Sequence, residues 1–145
     1  MKVFEQYRNF LLSIKEQTPV AAYEFAAAPW HYDREDHRCP HDCWVESLLV
    51  HEPSSGSRQE KRDLEIDVRL FAAFHDGYVD LHYHRVRSYS LGGKRANAHV
   101  GHGDWLADEV SLSPNQHVLH EILFSSGARW MTEPEDIHFK WAPIV

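Results

Sequence analysis

The segment DLEIDVRLFAAFHDGYVDLHYHRV, residues 63–86, constrains the fold more than any other part of the chain. Leu64, Ile66, Val68, Leu70, Ala72 and Phe74 alternate with Asp63, Glu65, Asp67 and Arg69, the period of a strand with one buried face. Asp76-Gly77 then supplies the residues that a two-residue type I′ turn uses. Closing the chain there pairs His75 with Tyr78, Ala72 with Leu81 and Leu70 with Tyr83, so that apolar residues face apolar partners. A β-hairpin is expected, with Asp63, Glu65, Asp67 and Asp80 on its outer face.

The rest of the chain is placed around this hairpin. Phe4, Tyr7, Leu11 and Ile14 recur at helical spacing within residues 2–16, and Pro19 follows, which predicts one amphipathic helix. Between Val20 and Asp42 no period holds, so a long irregular connection is expected. CWVESLLVHE, the two runs flanking Pro114-Asn115, ARWMT and DIHFKW read as further strands. PSSGSRQEKR (53–62) and GGKRANAHVGHGD (92–104) read as loops. The expected class is α+β: an N-terminal amphipathic helix packed on a mainly antiparallel meander sheet or half-barrel of about six to seven strands. With 145 residues, the chain has the length of a single domain, 1–145.

Composition narrows the function. A formal charge of −7 repels phosphate backbones, so nucleic acid is not an expected partner. The interleaved Arg85, Arg87, Lys94, Arg95, Tyr83 and Tyr89 do not outweigh that total. No run of about twenty apolar residues offers a membrane span, and Glu5, Arg8, Asn9 and Lys15 interrupt the apolar run that the core of a secretory leader needs, so a cytoplasmic location is expected. Cys39 and Cys43 are then expected to be thiols.

Three groups of residues could carry chemistry. In HYDREDHRCPHDCW (31–44), His37, Cys39, His41 and Cys43 are candidate zinc ligands. A fully extended chain would spread them over about 20 Å. Only a sharp turn at Pro40, with a remote histidine such as His99 or His102, would gather a full shell. His82 and His84 form a His-x-His that points both rings to one face of a strand. The cupin pattern does not fit: Gly77 lies too close, and Ser88 and Tyr89 stand where its glutamate belongs. In the inferred register His84 faces Arg69 and His82 faces Phe71, leaving no third ligand across the strand. Asp108 and Glu121 face each other if Leu112 pairs with His117, placing two carboxylates among Leu106, Val110, Leu119 and Leu123. Such a pair needs a shared proton, a metal or an arginine, Arg87 or Arg129. The alternative is that the Trp105, Ile122 and Phe124 face is the buried one. No G-x-S-x-G elbow, Walker loop or dinucleotide fingerprint is present.

HDCWVESL, FHDGY, RVRSYSL, GHGDWLADEV, HEILFSSGARW and EDIHFKW, spanning about residues 41–142, together resemble a type of small bacterial α+β protein. Acidic domains of that kind are similar to immunity proteins, which cover a toxin's active surface. The resemblance implies a non-catalytic protein-interaction module with a protein partner, and the hairpin's acidic face (Asp63, Glu65, Asp67, Asp80) is the expected contact. The other expectation is a zinc-binding protein or small hydrolase using the His/Cys segment or the Asp108/Glu121 pair.

Overall fold

The computed structural model describes residues 4–145. Two α-helices open the chain, α1 (Phe4–Ser13) and α2 (Val20–Ala27), each followed by a 3-10 turn, Lys15–Gln17 and Pro29–Tyr32. Ten strands follow: β1 (Trp44–His51), β2 (Ser54–Ser55), β3 (Lys61–Arg62), β4 (Glu65–Phe71), β5 (Gly77–His84), β6 (Ser88–Leu91), β7 (Trp105–Leu112), β8 (Val118–Phe124), β9 (Arg129–Glu133) and β10 (Asp136–Pro143). The class is α+β, with a helical N-terminus and antiparallel sheets.

The strands do not form one sheet of six or seven. Sheet 1 has the order β1-β4-β5-β10 and sheet 2 the order β6-β9-β8-β7, with β2 and β3 as a short separate ladder. The chain passes from β5 of sheet 1 to β6 of sheet 2, completes that sheet, and returns through β10. The inner faces of both sheets share one hydrophobic cluster, with Ile66, Leu70, Leu81 and Tyr83 from sheet 1 and Trp105, Ile122, Phe124 and Trp130 from sheet 2.

The expected helix is shorter than residues 2–16; its first positions, 2 and 3, lie outside the described residues. The expected irregular connection from Val20 contains α2. VAAYEFAA is apolar almost throughout, so it shows no helical stripe, yet Ala22, Phe25 and Ala26 are fully buried. Phe25 stacks on Phe139 of β10 at 6.0 Å, and the Ala22 N–H donates to Asp136 Oδ1 at 2.8 Å. These contacts supply what periodicity does not.

Both hairpins form with a register other than the one inferred from sequence. In the first, Leu70 pairs with Val79, Val68 with Leu81 and Ile66 with Tyr83. The connection is a four-residue loop from Ala73 to Asp76, closed by the His75 N–H on the Ala72 carbonyl, with His75 at φ 60°. The shift is even, so within the strands the buried and exposed faces stay as predicted, whereas Phe74, expected on the buried face, falls in the loop and is exposed. Gly77 is not a turn residue: a Cβ there would meet the Trp141 ring at 2.5 Å, so ring packing demands the glycine. In the second hairpin the loop takes in Gln116 as well as Pro114-Asn115: the Ser113 N–H donates to the His117 carbonyl, and Gln116 takes φ 64°. Leu112 therefore pairs with Val118, one residue off the inferred register. An odd shift of this kind changes every cross-strand neighbour.

Candidate functional site

The register change rebuilds the outer face of sheet 1. His82 lies opposite Asp67, not Phe71, and His138 of β10 lies on its other side. His82 Nδ1 is 2.6 Å from Asp67 Oδ1, and His51 Nε2 of β1 reaches Asp67 Oδ2 at 2.8 Å. His84 Nδ1 is 2.8 Å from Glu65 Oε1, and the Arg85 N–H donates to Glu65 Oε2. Arg85, at φ 46°, ends the strand and turns that N–H onto the carboxylate. A carboxylate–imidazole array thus runs across three strands, where the inferred register had placed a cation.

Glu65, His82 and His84 each bring one ligand atom within 4.8 Å of the other two. Among the described residues this is the one grouping of three His, Cys, Asp or Glu side chains so placed. His82 Nε2 lies 3.5 Å from Glu65 Oε1, beyond a normal hydrogen bond. That spacing is close to the ligand–ligand separation of about 3.3 Å that tetrahedral bonds of about 2.0–2.1 Å generate. Burial opposes ionisation of Glu65, but the Arg85 N–H and His84 outweigh it and hold the carboxyl below its ordinary value. Asp67 is lowered the same way by His82 and His51. Because an ionised Asp67 only accepts, His82 donates to it from Nδ1, and its Nε2 lies on the side of Glu65.

The residues expected to bind zinc in the 31–44 segment are not gathered. Cys39 and Cys43 are buried, and their thiols donate inward to the carbonyls of His31 (3.1 Å) and Cys39 (3.5 Å). Burial pushes the Cys43 thiol up to about 12, away from the thiolate a metal needs. His37 Nδ1 bonds Asp76, and His41 Nδ1 lies 3.1 Å from Asp42 Oδ1 without hydrogen-bond geometry. His102 packs on Phe124 and Trp130. Fixed inward thiols and separately engaged imidazoles leave no common centre.

Asp108 and Glu121 do not face each other. Asp108 lies opposite Ile122, and Glu121 opposite Glu109, while Trp105, Ile122 and Phe124 form the buried face. Asp108 does need a partner, and it has two. His31 Nε2 sits 2.8 and 2.9 Å from its oxygens, and His120 Nε2 lies 2.8 Å from Oδ2. His31 Nδ1 is 2.8 Å from the Phe25 carbonyl, and His120 Nδ1 is 2.7 Å from the Tyr83 hydroxyl. A carbonyl only accepts, so His31 donates from both nitrogens and is an imidazolium beside a carboxylate. Burial works against both charges, yet their attraction prevails: Asp108 titrates well below its ordinary value and His31 above its own. Both His31 nitrogens and both Asp108 oxygens are occupied, so this chain of side chains joins helix to both sheets and leaves no free base. Sequence reasoning missed it because His31 and Asp108 are 77 positions apart; the signal present was a carboxylate on an apolar strand face.

The acidic residues expected to meet a partner do lie on the outer face, but each is paired. Arg69 binds Asp80 through two contacts of 2.8 and 2.9 Å, and Arg85 approaches Asp63 at 3.5 Å. Glu65 and Asp67 serve the histidines. No helix among the described residues is long and apolar enough to cross a membrane. No protein-family model matches the chain, and neither a curated protein nor a solved structure matches it.

Proposed function

We propose that this chain is a metal-binding protein whose site is the Glu65, His82 and His84 group on the outer face of sheet 1. The observation that carries the reading is the orientation of His82: Asp67 holds Nδ1 at 2.6 Å, and Nε2 is left facing two further donors. Metal-binding histidines are commonly fixed by a carboxylate in this manner. Two imidazoles and a carboxylate suit a divalent transition ion, zinc foremost. Three protein ligands leave a position for water, as in hydrolytic rather than closed structural sites. Metal analysis and calorimetric titration of untagged protein test this, with about one equivalent of zinc expected and loss of that equivalent in His82→Ala/His84→Ala. Binding of less than about 0.2 equivalents by the parent protein, against the stoichiometry of a formed site, ends the reading.

A second reading, a protein-interaction module of the immunity type, is favoured by one observation. β1 is an edge strand of sheet 1 and exposes Trp44 and Leu49, 43 % and 54 % accessible, beside the paired acidic residues. Affinity capture from the native host tests it; absence of a stoichiometric protein partner sensitive to Leu49→Lys counts against it.

A further inference from the structure

Between two bridged positions, the β7 edge of sheet 2 leaves one residue open, and that opening lies in a cleft. β7 is the last strand of its sheet, so half of its backbone groups point away from β8. At Val110 those groups are taken by α1: the Tyr7 hydroxyl accepts from the Val110 N–H at 2.6 Å and donates to its carbonyl at 3.0 Å. At Trp105 they are taken by the segment entering β1. The Asp42 N–H donates to the Trp105 carbonyl at 2.9 Å, and the Trp105 N–H donates to the Cys43 carbonyl at 2.8 Å.

Outward backbone groups recur at every second residue, and the irregularity between Trp105 and Ala107 resets the count. Asp108 is therefore the outward residue between the two bridged positions. Its side chain is 6 % exposed although the residue as a whole is only half-buried, so water reaches its main chain. The same residue lines a cleft of about 430 Å³ whose aromatic walls include Tyr7, Tyr32 and Trp105. That volume lies in the range of small-ligand sites. Arg34 also lines the cleft, is exposed, and has no ion-pair partner among the described residues.

We propose that this cleft binds a carboxylate-terminated amide with an aromatic or other large apolar side chain, the chemistry of the last residue of an extended peptide. The ligand's amide N–H donates to the Asp108 carbonyl. Its carboxylate accepts from the Asp108 N–H and from Arg34, and its side chain lies against the aromatic walls. One residue thus completes the strand edge that Tyr7 and the 42–43 segment close on either side. The Asp108 side chain is already neutralised by His31, so it does not repel the incoming carboxylate. None of these groups belongs to the metal site, and the proposal stands apart from it.

The test is a titration of the isotopically labelled full chain with N-acetylphenylalanine, following backbone amide signals. Saturable shifts are expected at Asp108 and its neighbours. Arg34→Gln weakens binding about tenfold, as loss of a charge-assisted hydrogen bond implies. O-acetylphenyllactate, with an ester oxygen in place of the N–H, also binds about tenfold more weakly. A peptide ending in Ala-Ala-Phe separates the two sources of this chemistry: tighter binding than N-acetylphenylalanine assigns the cleft to peptide ends, and equal binding to free N-acyl amino acids. Absence of saturable shifts up to about 10 mM, far above the range of functional affinities, overturns the proposal. So does binding that neither Arg34→Gln nor the ester alters.

Discussion

The molecule contains two assemblies built from the same parts, imidazoles bonded to carboxylates, in opposite surroundings. Asp108 with His31 and His120 is sealed between helix and sheets, its side chains 6 %, 1 % and 0 % exposed. Asp67 and Glu65 with His51, His82 and His84 lie on an outer sheet face, where the imidazoles are 35–43 % exposed. Inside, every nitrogen and oxygen is used, and an unpaired charge would have no water to fall back on. Outside, His82 Nε2 keeps no bond shorter than 3.5 Å, and water supports any group that loses its partner. The same chemistry therefore serves cohesion in one place and leaves ligand capacity in the other.

The largest way to break this contrast is Asp108→Ala. It strands the His31 imidazolium between a carbonyl and a void, and removing one partner of a buried ion pair costs about 3–5 kcal/mol. Urea denaturation should show a loss of that order.

The pH dependence of the same pair is the next test. His31 has a raised pKa when folded, so its contribution is complete below its ordinary 6.5 and is lost as pH rises through the folded value. Asp108 has a lowered pKa, so its contribution is present above its ordinary 3.8 and is lost as pH falls through the folded value. The pair is therefore fully stabilising between those two values. The urea midpoint should decline from pH 6 to pH 9, and the decline should be smaller in His31→Gln. An equal decline in both proteins would locate the responsible proton elsewhere.

On the outer face, the corresponding change is Asp67→Asn. Asparagine can accept at its carbonyl but no longer brings the charge that fixes the His82 tautomer. Loss of an orienting carboxylate commonly weakens metal binding about 10–100-fold. Zinc calorimetry should show that drop with stoichiometry kept, since Glu65, His82 and His84 remain.

How much of this was legible in the sequence follows from what each feature depends on. The period-two pattern from Leu64 to Leu70 dictates which faces are buried, and an even register shift does not disturb it. Cross-strand partners depend on loop form, and nothing in AAFHDG announces that His75, not Gly77, adopts the left-handed conformation. That single choice moved His82 from Phe71 to Asp67 and turned a solvated histidine pair into a candidate site. Asp108 was recognisable as a carboxylate in need of a partner. Its partner, His31, lies in a segment whose preceding helix is apolar all round and so lacks the stripe that marks amphipathic helices. The cysteines stood out by type and spacing, but both are buried, and the backbone contacts of the 42–43 segment with Trp105, more than sixty positions away, have no local signature.

The smallest expected effect is also the sharpest check on the contrast. His82→Gln removes one imidazole from the outer array and leaves Asp67 bonded to His51. Both partners of the lost pair are more than a third exposed, at 35 % and 46 %, so water and salt screen most of their attraction. Exposed pairs of this kind contribute about 0–1 kcal/mol, so the urea midpoint of metal-free protein should hardly move. The same substitution removes one of three ligands and should abolish stoichiometric zinc binding. A residue that matters to the ligand and not to the fold belongs to a site; a loss of stability comparable to that of Asp108→Ala would instead make the outer array a second structural lock, and the distinction between the two assemblies would fall.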